Sequence, residues 1–447
     1  MQVAEKIYLN YIDLLRLDNW SVPGLFDATF NYSNQFPLSR IGDFLIKNRN
    51  VINIDDNITY KRVTVRINNN GVFLRDTEKG VNIGTKKQYL AKSGQFIVSK
   101  IDARNGAFGI IPEELNDAIV TNDFPLYDVE AKKINPRFLL LITTTKEFIG
   151  FAQSCSSGTT NRQRMDMDMF LNQRIPLPNI EEQEKIVRSY YSKIEEAEKL
   201  NQQANDLESE IERYFLKQLG IRKNMSSNFS KGFRIRIIEY KNLDRWDANV
   251  ISELTSTYKI EKIGSYVLKI ATGTTPPTNR SEYFNGDINF YTPSDLGEIM
   301  YLNSASRKVS ELSLLEKKAR RFEKGTILFV GIGSTVGKVG IVNNNYATSN
   351  QQITGFNIDT RFLLNEYVYF YFYYLRDITV KEQTKATLPI VNQNKIINIP
   401  IPIPPISKQQ EIIKEISKMK NKKLIFETER RKLLIEAHQE FEQTIFR

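Results

Sequence analysis

The stretch Ile175-Pro176-Leu177-Pro178-Asn179-Ile180, trailed by Gln183, Ile186 and Val187, returns as Ile401-Pro402-Ile403-Pro404-Pro405-Ile406, trailed by Gln409, Ile412 and Ile413. The copies stand 226 residues apart in a chain of 447, so half the chain is the repeating unit. Self-similarity at a fixed period is read before any single element, because it sets the architecture. Upstream of each copy the pattern has the short alternation of strands and turns; downstream it becomes helical. The word marks the join between a globular half and a helix.

Other pairs follow in the same order. Leu38-Ser39-Arg40-Ile41-Gly42 matches Ile260-Glu261-Lys262-Ile263-Gly264, and Gly94, Ile101, Gly106, Gly109 and Ile110 match Gly325, Ile332, Gly337, Gly340 and Ile341. The only two tryptophans sit in one shared word, Leu17-Asp18-Asn19-Trp20 and Leu243-Asp244-Arg245-Trp246. Offsets that wander by a few residues while the order holds are what loop insertions do to a duplicated fold. The expected class is α+β, with two pseudo-repeated domains over 1–180 and 221–406 separated by helices over 181–220 and 407–447.

Within the halves, Lys61-Arg62-Val63-Thr64-Val65-Arg66-Ile67, Gln95-Phe96-Ile97-Val98, Thr326-Ile327-Leu328-Phe329-Val330 and Gln352-Ile353-Thr354-Gly355-Phe356-Asn357-Ile358 have strand composition. The aromatic run Glu366-Tyr367-Val368-Tyr369-Phe370-Tyr371-Phe372-Tyr373-Tyr374-Leu375 reads as a helix that fills a core.

After the first Pro word, Val187, Tyr190, Ile194 and Ala197 keep three-four spacing. Leu200, Ala204, Leu207, Ile211 and Tyr214 resume it after a phase slip, up to a stop at Gly220. Such a helix of about 40 residues is about 60 Å long. Ile412, Ile416, Met419, Phe426, Leu433, Ala437 and Phe441 repeat the design. Both stripes are too apolar for free surface helices, so the two are expected to pair as an antiparallel coiled coil. Residues 181–220 carry six Lys/Arg against ten Asp/Glu and residues 407–447 ten against seven, an acidic helix facing a basic one.

The chain has a net charge of +10, and the helices together contribute −1 of it, which leaves +11 on the globular halves. That location favours a polyanionic partner. With 41% hydrophobic and 26% charged residues the composition is globular. No run approaches the roughly 18 uncharged apolar residues of a membrane span. Met1-Gln2-Val3-Ala4-Glu5-Lys6 lacks the basic and apolar regions of a secretory signal, so a cytoplasmic protein is expected. One cysteine, Cys155, and one histidine, His438, exclude an internal disulfide, a thiolate-imidazole zinc cluster and most nucleophile-histidine catalysis.

Gly331-Ile332-Gly333-Ser334-Thr335-Val336-Gly337-Lys338 looks like a phosphate loop but fails its spacing. Ile332 stands where the first glycine is needed and Val339 where Ser or Thr must follow the lysine. A strand-turn-strand with an exposed loop is expected instead. No acid-acid-lysine nuclease set, aromatic Pro-Pro methyltransferase word or S-adenosylmethionine loop is found. The halves instead carry polar loops suited to base edges, since Asn and Gln bond adenine and Arg and Lys bond guanine. The candidates are Lys86, Lys87, Lys100, Arg104, Arg162 and Arg164 in the first half. In the second they are Thr274, Thr275, Arg280, Ser334, Lys338, Asn350, Gln351 and Gln352.

Gly273-Thr274-Thr275-Pro276-Pro277, Tyr291-Thr292-Pro293-Ser294-Asp295-Leu296, Gly325-Thr326-Ile327-Leu328, Ser334-Thr335-Val336-Gly337-Lys338, Ser349-Asn350-Gln351-Gln352 and Ile401-Pro402-Ile403-Pro404-Pro405 resemble, in order, the target recognition domain of type I restriction-modification specificity subunits. The first half departs from this pattern: it lacks the Gly-Thr-Thr-Pro word and has Asn122-Asp123 where the second is read as Asn350-Gln351. The resemblance implies a non-catalytic subunit that reads a split double-stranded DNA site, one half per domain, with the helices fixing the gap. It also implies two methyltransferase subunits and restriction/translocase subunits as partners, with S-adenosylmethionine, ATP and Mg on those partners. Two alternatives stay open: a coiled-coil scaffold without DNA binding, and a recognition subunit of another restriction-like phage-defence methyltransferase system.

Overall fold

The computed structural model describes residues 32–157, 163–221, 254–297, 299–380 and 389–446. Both tryptophan words and Arg162 lie outside the described residues. The chain forms two compact units, Met1–Leu200 with Thr428–Arg447, and Asn201–Glu427. Each unit therefore holds one globular half and a segment of each of two long helices, Ile180–Leu219 and Ile406–Phe446.

The repeat reappears as hydrogen-bond register, which is a stricter test than resemblance of words. In the first unit Phe96–Val98 pairs antiparallel with Phe108–Ile110, joining Phe96 to Ile110, Ile97 to Gly109 and Val98 to Phe108. In the second, Ile327–Val330 pairs with Val339–Val342 and joins Ile327 to Ile341, Leu328 to Gly340 and Phe329 to Val339. Every partner is displaced by 231 positions. The short ladders at the joins agree as well: Leu38 faces Pro176 and Arg40 faces Arg174, while Ile260 faces Pro402 and Lys262 faces Pro400.

Besides its two-stranded ladders, each unit carries two larger sheets among the described residues. The strands Leu45–Lys47, Leu126–Val129, Phe96–Val98 and Phe108–Ile110 form one sheet of the first unit. Val267–Thr272, Ile353–Ile358, Ile327–Val330 and Val339–Val342 form its counterpart, with Tyr301–Leu302 added at the edge. In the other sheet a central strand, Ile119–Val120 or Tyr346–Ser349, pairs parallel to one neighbour and antiparallel to the next. The first unit extends this sheet with the hairpin Thr59–Val65 and Val72–Lys79, far longer than its counterpart strands Ile288–Tyr291 and Arg307–Val309.

The aromatic run forms the helix Asn365–Tyr374, and seven of its ten residues are buried, which places it in the core. Two of its phenols are satisfied by the joining strand: Tyr367 donates to the Pro402 carbonyl at 2.8 Å and Tyr371 to that of Pro400. Burial raises the Cys155 thiol to about 11, so it packs as a small apolar group.

One buried glutamine closes each join. Gln183 accepts from the Asn135 backbone N–H at 2.8 Å and donates to the Lys133 and Pro178 carbonyls at 3.1 and 2.8 Å. Gln409 accepts from the Leu364 N–H at 2.8 Å and donates to Phe362 and Pro404 at 2.8 and 2.9 Å. Both side chains are fully buried, so their amides replace water for main-chain groups that would otherwise be unpaired.

The helices meet inside both units. In the first, Tyr190 packs on His438 and Phe441, and Lys193 pairs with Glu440. In the second, Glu208 pairs with Lys423 at 2.8 Å, and Ile211, Phe215, Ile412 and Ile416 share one core. Within the second unit Glu208 meets Lys423 and, further along, Tyr214 lies beside Glu411 and Lys408, the order of antiparallel helices. The charge complementarity expected from composition is carried by Glu208–Lys423, whereas Lys193–Glu440 runs in the opposite sense. Phe426 and Leu433 of the expected stripe are only half-buried, and Leu424 and Ile425 beside them are exposed. No helix among the described residues is long and apolar enough to cross a membrane.

Candidate nucleic-acid interface

In the second unit the strand Val267–Thr272 runs out into Gly273-Thr274-Thr275, which lies against Ser349-Asn350-Gln351-Gln352. A Cβ on Gly273 would fall 2.2 Å from the Ser349 hydroxyl and 2.4 Å from the Asn350 carbonyl, so only glycine permits the approach. Side chains then tie the loops: the Thr275 hydroxyl donates to the Gln351 amide oxygen, and Asn350 donates to Gln352 at 2.9 Å. The Gln352 carbonyl anchors the glycine hairpin by accepting from the Gly331 N–H at 2.8 Å. A concavity of about 340 Å³ opens beside Gln351 and Gln352, with Ile390 and Gln393 on its far wall. Gln393 donates to Thr272 at 2.9 Å, and nothing in its sequence context marked it.

Thr274 faces a second concavity of about 470 Å³, walled by Lys317, Arg320 and Arg321. Its hydroxyl is buried with no hydrogen-bond partner among the described residues. The cationic wall belongs to Lys317-Lys318-Ala319-Arg320-Arg321, four exposed cations in five positions. That run was the available signal for these residues, and it is absent from the expected set. Arg321 stacks on Tyr346 at 4.0 Å and pairs with Glu323 at 2.9 Å.

The remaining candidates of this unit are set apart. Arg280 pairs with Glu282 at 2.7 Å and Glu316 at 3.3 Å and lies over the Tyr283 ring at 4.5 Å. Ser334 is exposed on the hairpin loop. Lys338 lines a different concavity, of about 410 Å³, with Glu208, Glu212 and Arg376. The loop is an ordinary hairpin connection with positive φ at Gly333 and Gly337, in keeping with rejection of the phosphate-loop reading.

In the first unit Lys100, Arg104 and Arg164 gather at one end of the Phe96–Val98 hairpin. Arg164 forks onto Asp123, Nε to Oδ1 at 2.9 Å and Nη2 to Oδ2 at 3.1 Å. Hydrogen bonds from Arg164 hold the Asp123 carboxyl below its usual range; burial opposes them, and the charges of Arg164 and Lys100 add to them. Arg104 Nη1 donates to Gln163 at 2.9 Å. Lys86 and Lys87 lie elsewhere, at the Lys87–Leu90 strand of the other sheet. Lys86 is tied to Asp56 and to the Gly80 carbonyl at 2.7 Å.

Register corrects one sequence pairing. The Lys100 N–H donates to the Asp123 carbonyl at 2.9 Å, as the Gly331 N–H does to that of Gln352, and the Asp123 N–H meets Thr121 as the Gln352 N–H meets Asn350. Thr121-Asn122-Asp123 therefore superposes on Asn350-Gln351-Gln352. The pairing of Asn122-Asp123 with Asn350-Gln351 is thereby corrected by one residue, because the hydrogen bonds of the turn and not the shared asparagine set the register. Asp123 is the counterpart of Gln352. In the same way the Met165 N–H bonds the Lys100 carbonyl at 2.9 Å and the Val391 N–H that of Gly331 at 2.7 Å, which sets Arg164 against Ile390.

The family profile described as the type I restriction modification DNA specificity domain matches twice, over residues 35–233 and 256–437. The type I restriction enzyme MjaIX specificity subunit of Methanocaldococcus jannaschii is 30% identical over 185 residues. That match takes in 39% of this chain and 41% of the relative, so the chain spans about two fifths of the relative's length. Among solved structures, a chain from work on complex assembly and conformational transition of the type I R-M system is similar at TM-score 0.58 with 15% identity, covering 93% of this chain and 98% of that one. The S subunit from M. genitalium is 12% identical with TM-score 0.48, covering 92% and 97%.

Proposed function

Because this chain belongs to the type I restriction-modification DNA specificity family and carries two copies of its domain, we propose that it is the sequence-reading subunit of such a complex. Each globular half takes one part of a bipartite double-stranded DNA site, and the paired helices set the gap between the parts. The chain is not itself the enzyme. It directs two methyltransferase subunits and restriction/translocase subunits, which supply S-adenosylmethionine, ATP and Mg chemistry.

One observation carries this reading: two frames with the same hydrogen-bond register present different side chains at the same stations, Asp123 and Arg164 in one, Gln352 and Ile390 in the other. A scaffold needs no such divergence at conserved geometry, whereas a reader of two unlike sequences does. The net charge of +10, concentrated on the globular halves, supports affinity for a phosphate backbone, which weakens steeply with salt.

The test is a chimera. Exchanging residues 1–180 for those of another family member is expected to change one half of the methylated motif and leave the other intact, read by methylome sequencing. Removing a heptad from each helix is expected to change the gap alone. An unchanged motif in both, or gel-shift retention equal on every sequence, would refute the assignment.

A further inference from the structure

We propose that Arg164 reads a guanine in the half-site taken by the first domain, with Asp123 as its positioning residue; this rests on the function proposed above. A guanidinium is planar and has two edges that can each donate a pair of hydrogen bonds. In Arg164 the Nε/Nη2 edge is committed to both oxygens of Asp123, at 2.9 and 3.1 Å. The fork holds the plane and leaves the Nη1/Nη2 edge, on a side chain 53% exposed, outside the pair. Two parallel donors at that edge match the O6 and N7 acceptors that guanine alone presents in the major groove.

The surroundings fit a reader better than a stabilising ion pair. The Arg164 side chain is 53% exposed and that of Asp123 33%, so the pair is open to a ligand and adds little to folding. Hydrogen bonds from Arg164 move the Asp123 carboxyl below its ordinary value against the opposing effect of burial, and the hydrogen bond to Asp123 moves the Arg164 guanidinium above its own. Backbone bonds brace both ends: the Asp123 carbonyl accepts from Lys100 and the Lys100 carbonyl from Met165, each at 2.9 Å. The same two stations in the second unit are Gln352, bonded to Asn350, and Ile390, whose carbonyl accepts from Lys395 at 3.4 Å, so neither station itself carries a charged side chain. A frame that keeps its backbone braces and changes the side chains they carry is the arrangement expected where those side chains select the base.

The experiment uses the full chain assembled with its methyltransferase partner. The wild-type motif is first read by methylome sequencing, and each guanine of the first half-site is then replaced in duplex oligonucleotides by 7-deazaguanine, which lacks N7. At one position this is expected to weaken binding about ten-fold. Arg164→Gln is expected to lose a similar factor on the natural duplex and to show no further loss with 7-deazaguanine at that position. Asp123→Asn is expected to give a smaller loss at that position alone. The second half-site stays unchanged in every case.

The 7-deazaguanine series needs no variant, so misfolding of Arg164→Gln leaves the test intact. A first half-site without guanine, additive losses, or a uniform loss across all sequences of the kind a phosphate contact gives would overturn the inference while leaving the proposed function standing. A wild-type complex with no sequence preference would overturn both.

Discussion

The two globular halves share a skeleton and differ in what hangs from it. Strand register repeats residue for residue, with Phe96 facing Ile110 as Ile327 faces Ile341, and Gln183 closes one join as Gln409 closes the other. Against that constancy the first half holds an Asp–Arg pair where the second holds a glutamine and an isoleucine, and a long hairpin where the second has short strands. Main-chain hydrogen bonding leaves side-chain identity free wherever the side chain points to solvent. The parts that vary are those the frame does not need.

The buried glutamines give the harshest trial of this equivalence. Gln183→Leu and Gln409→Leu each strand one N–H and two carbonyls away from water, and each is expected to cost about 3 kcal/mol or more. Denaturant unfolding should find the two losses alike; a loss confined to one half would break the analogy. A milder trial uses Gly94 and Gly325, both at φ +83°. Alanine at either is expected to destabilise by about 1 kcal/mol through backbone strain. A Cβ at Gly94 meets nothing within 4 Å and one at Gly325 meets only the Asn365 amide at 3.3 Å, so near-equal costs are expected from thermal unfolding.

The helix contacts should separate the units instead. Burial works against the Glu208 carboxylate, but the hydrogen bond from Lys423 and the charge of Lys420 outweigh it and hold the group below its ordinary value. A depressed carboxylate stabilises above its unfolded pKa of about 4.3 and loses that contribution as pH falls through the lower folded value. Unfolding measured from pH 7 to pH 3 is expected to show about 1 kcal/mol that wild type loses on acidification and Glu208→Gln does not have. Glu440, 56% exposed where it meets Lys193, is expected to give less than about 0.5 kcal/mol when changed to Gln. Least of all in stability is Thr275→Val, which removes a donor to Gln351 at the surface. It is expected to leave unfolding unchanged and to alter only the second half of the methylated motif.

Much of the frame could be read from the chain because glycines, prolines and apolar spacing report directly on local geometry. The words around Gly94 and Gly325, and the Pro words at the two joins, mark strands and helix starts that the structure places where expected. The site was less legible. Arg280 and Lys86 qualified by residue type, yet folding gives them acidic partners, Glu282, Glu316 and Asp56, that come together only in three dimensions. Asp123 was seen but set one residue out, because turn hydrogen bonds decide register and letters do not. Gln183 and Gln409 stood in the repeated words from the start, but a glutamine that clasps three main-chain groups looks in sequence like one facing water.

That clasp has a corollary for how such a chain tolerates change. All six partners of the two glutamines are peptide groups, present whatever side chains the globular half carries. A foreign half with the same backbone path can be spliced at Pro178 or Pro404 and meet the same welcome, because the socket inspects shape and never identity. The molecule is thus an adaptor whose fittings are indifferent to what is plugged in, and novelty in one half need not wait for compensation in the helix that bears it.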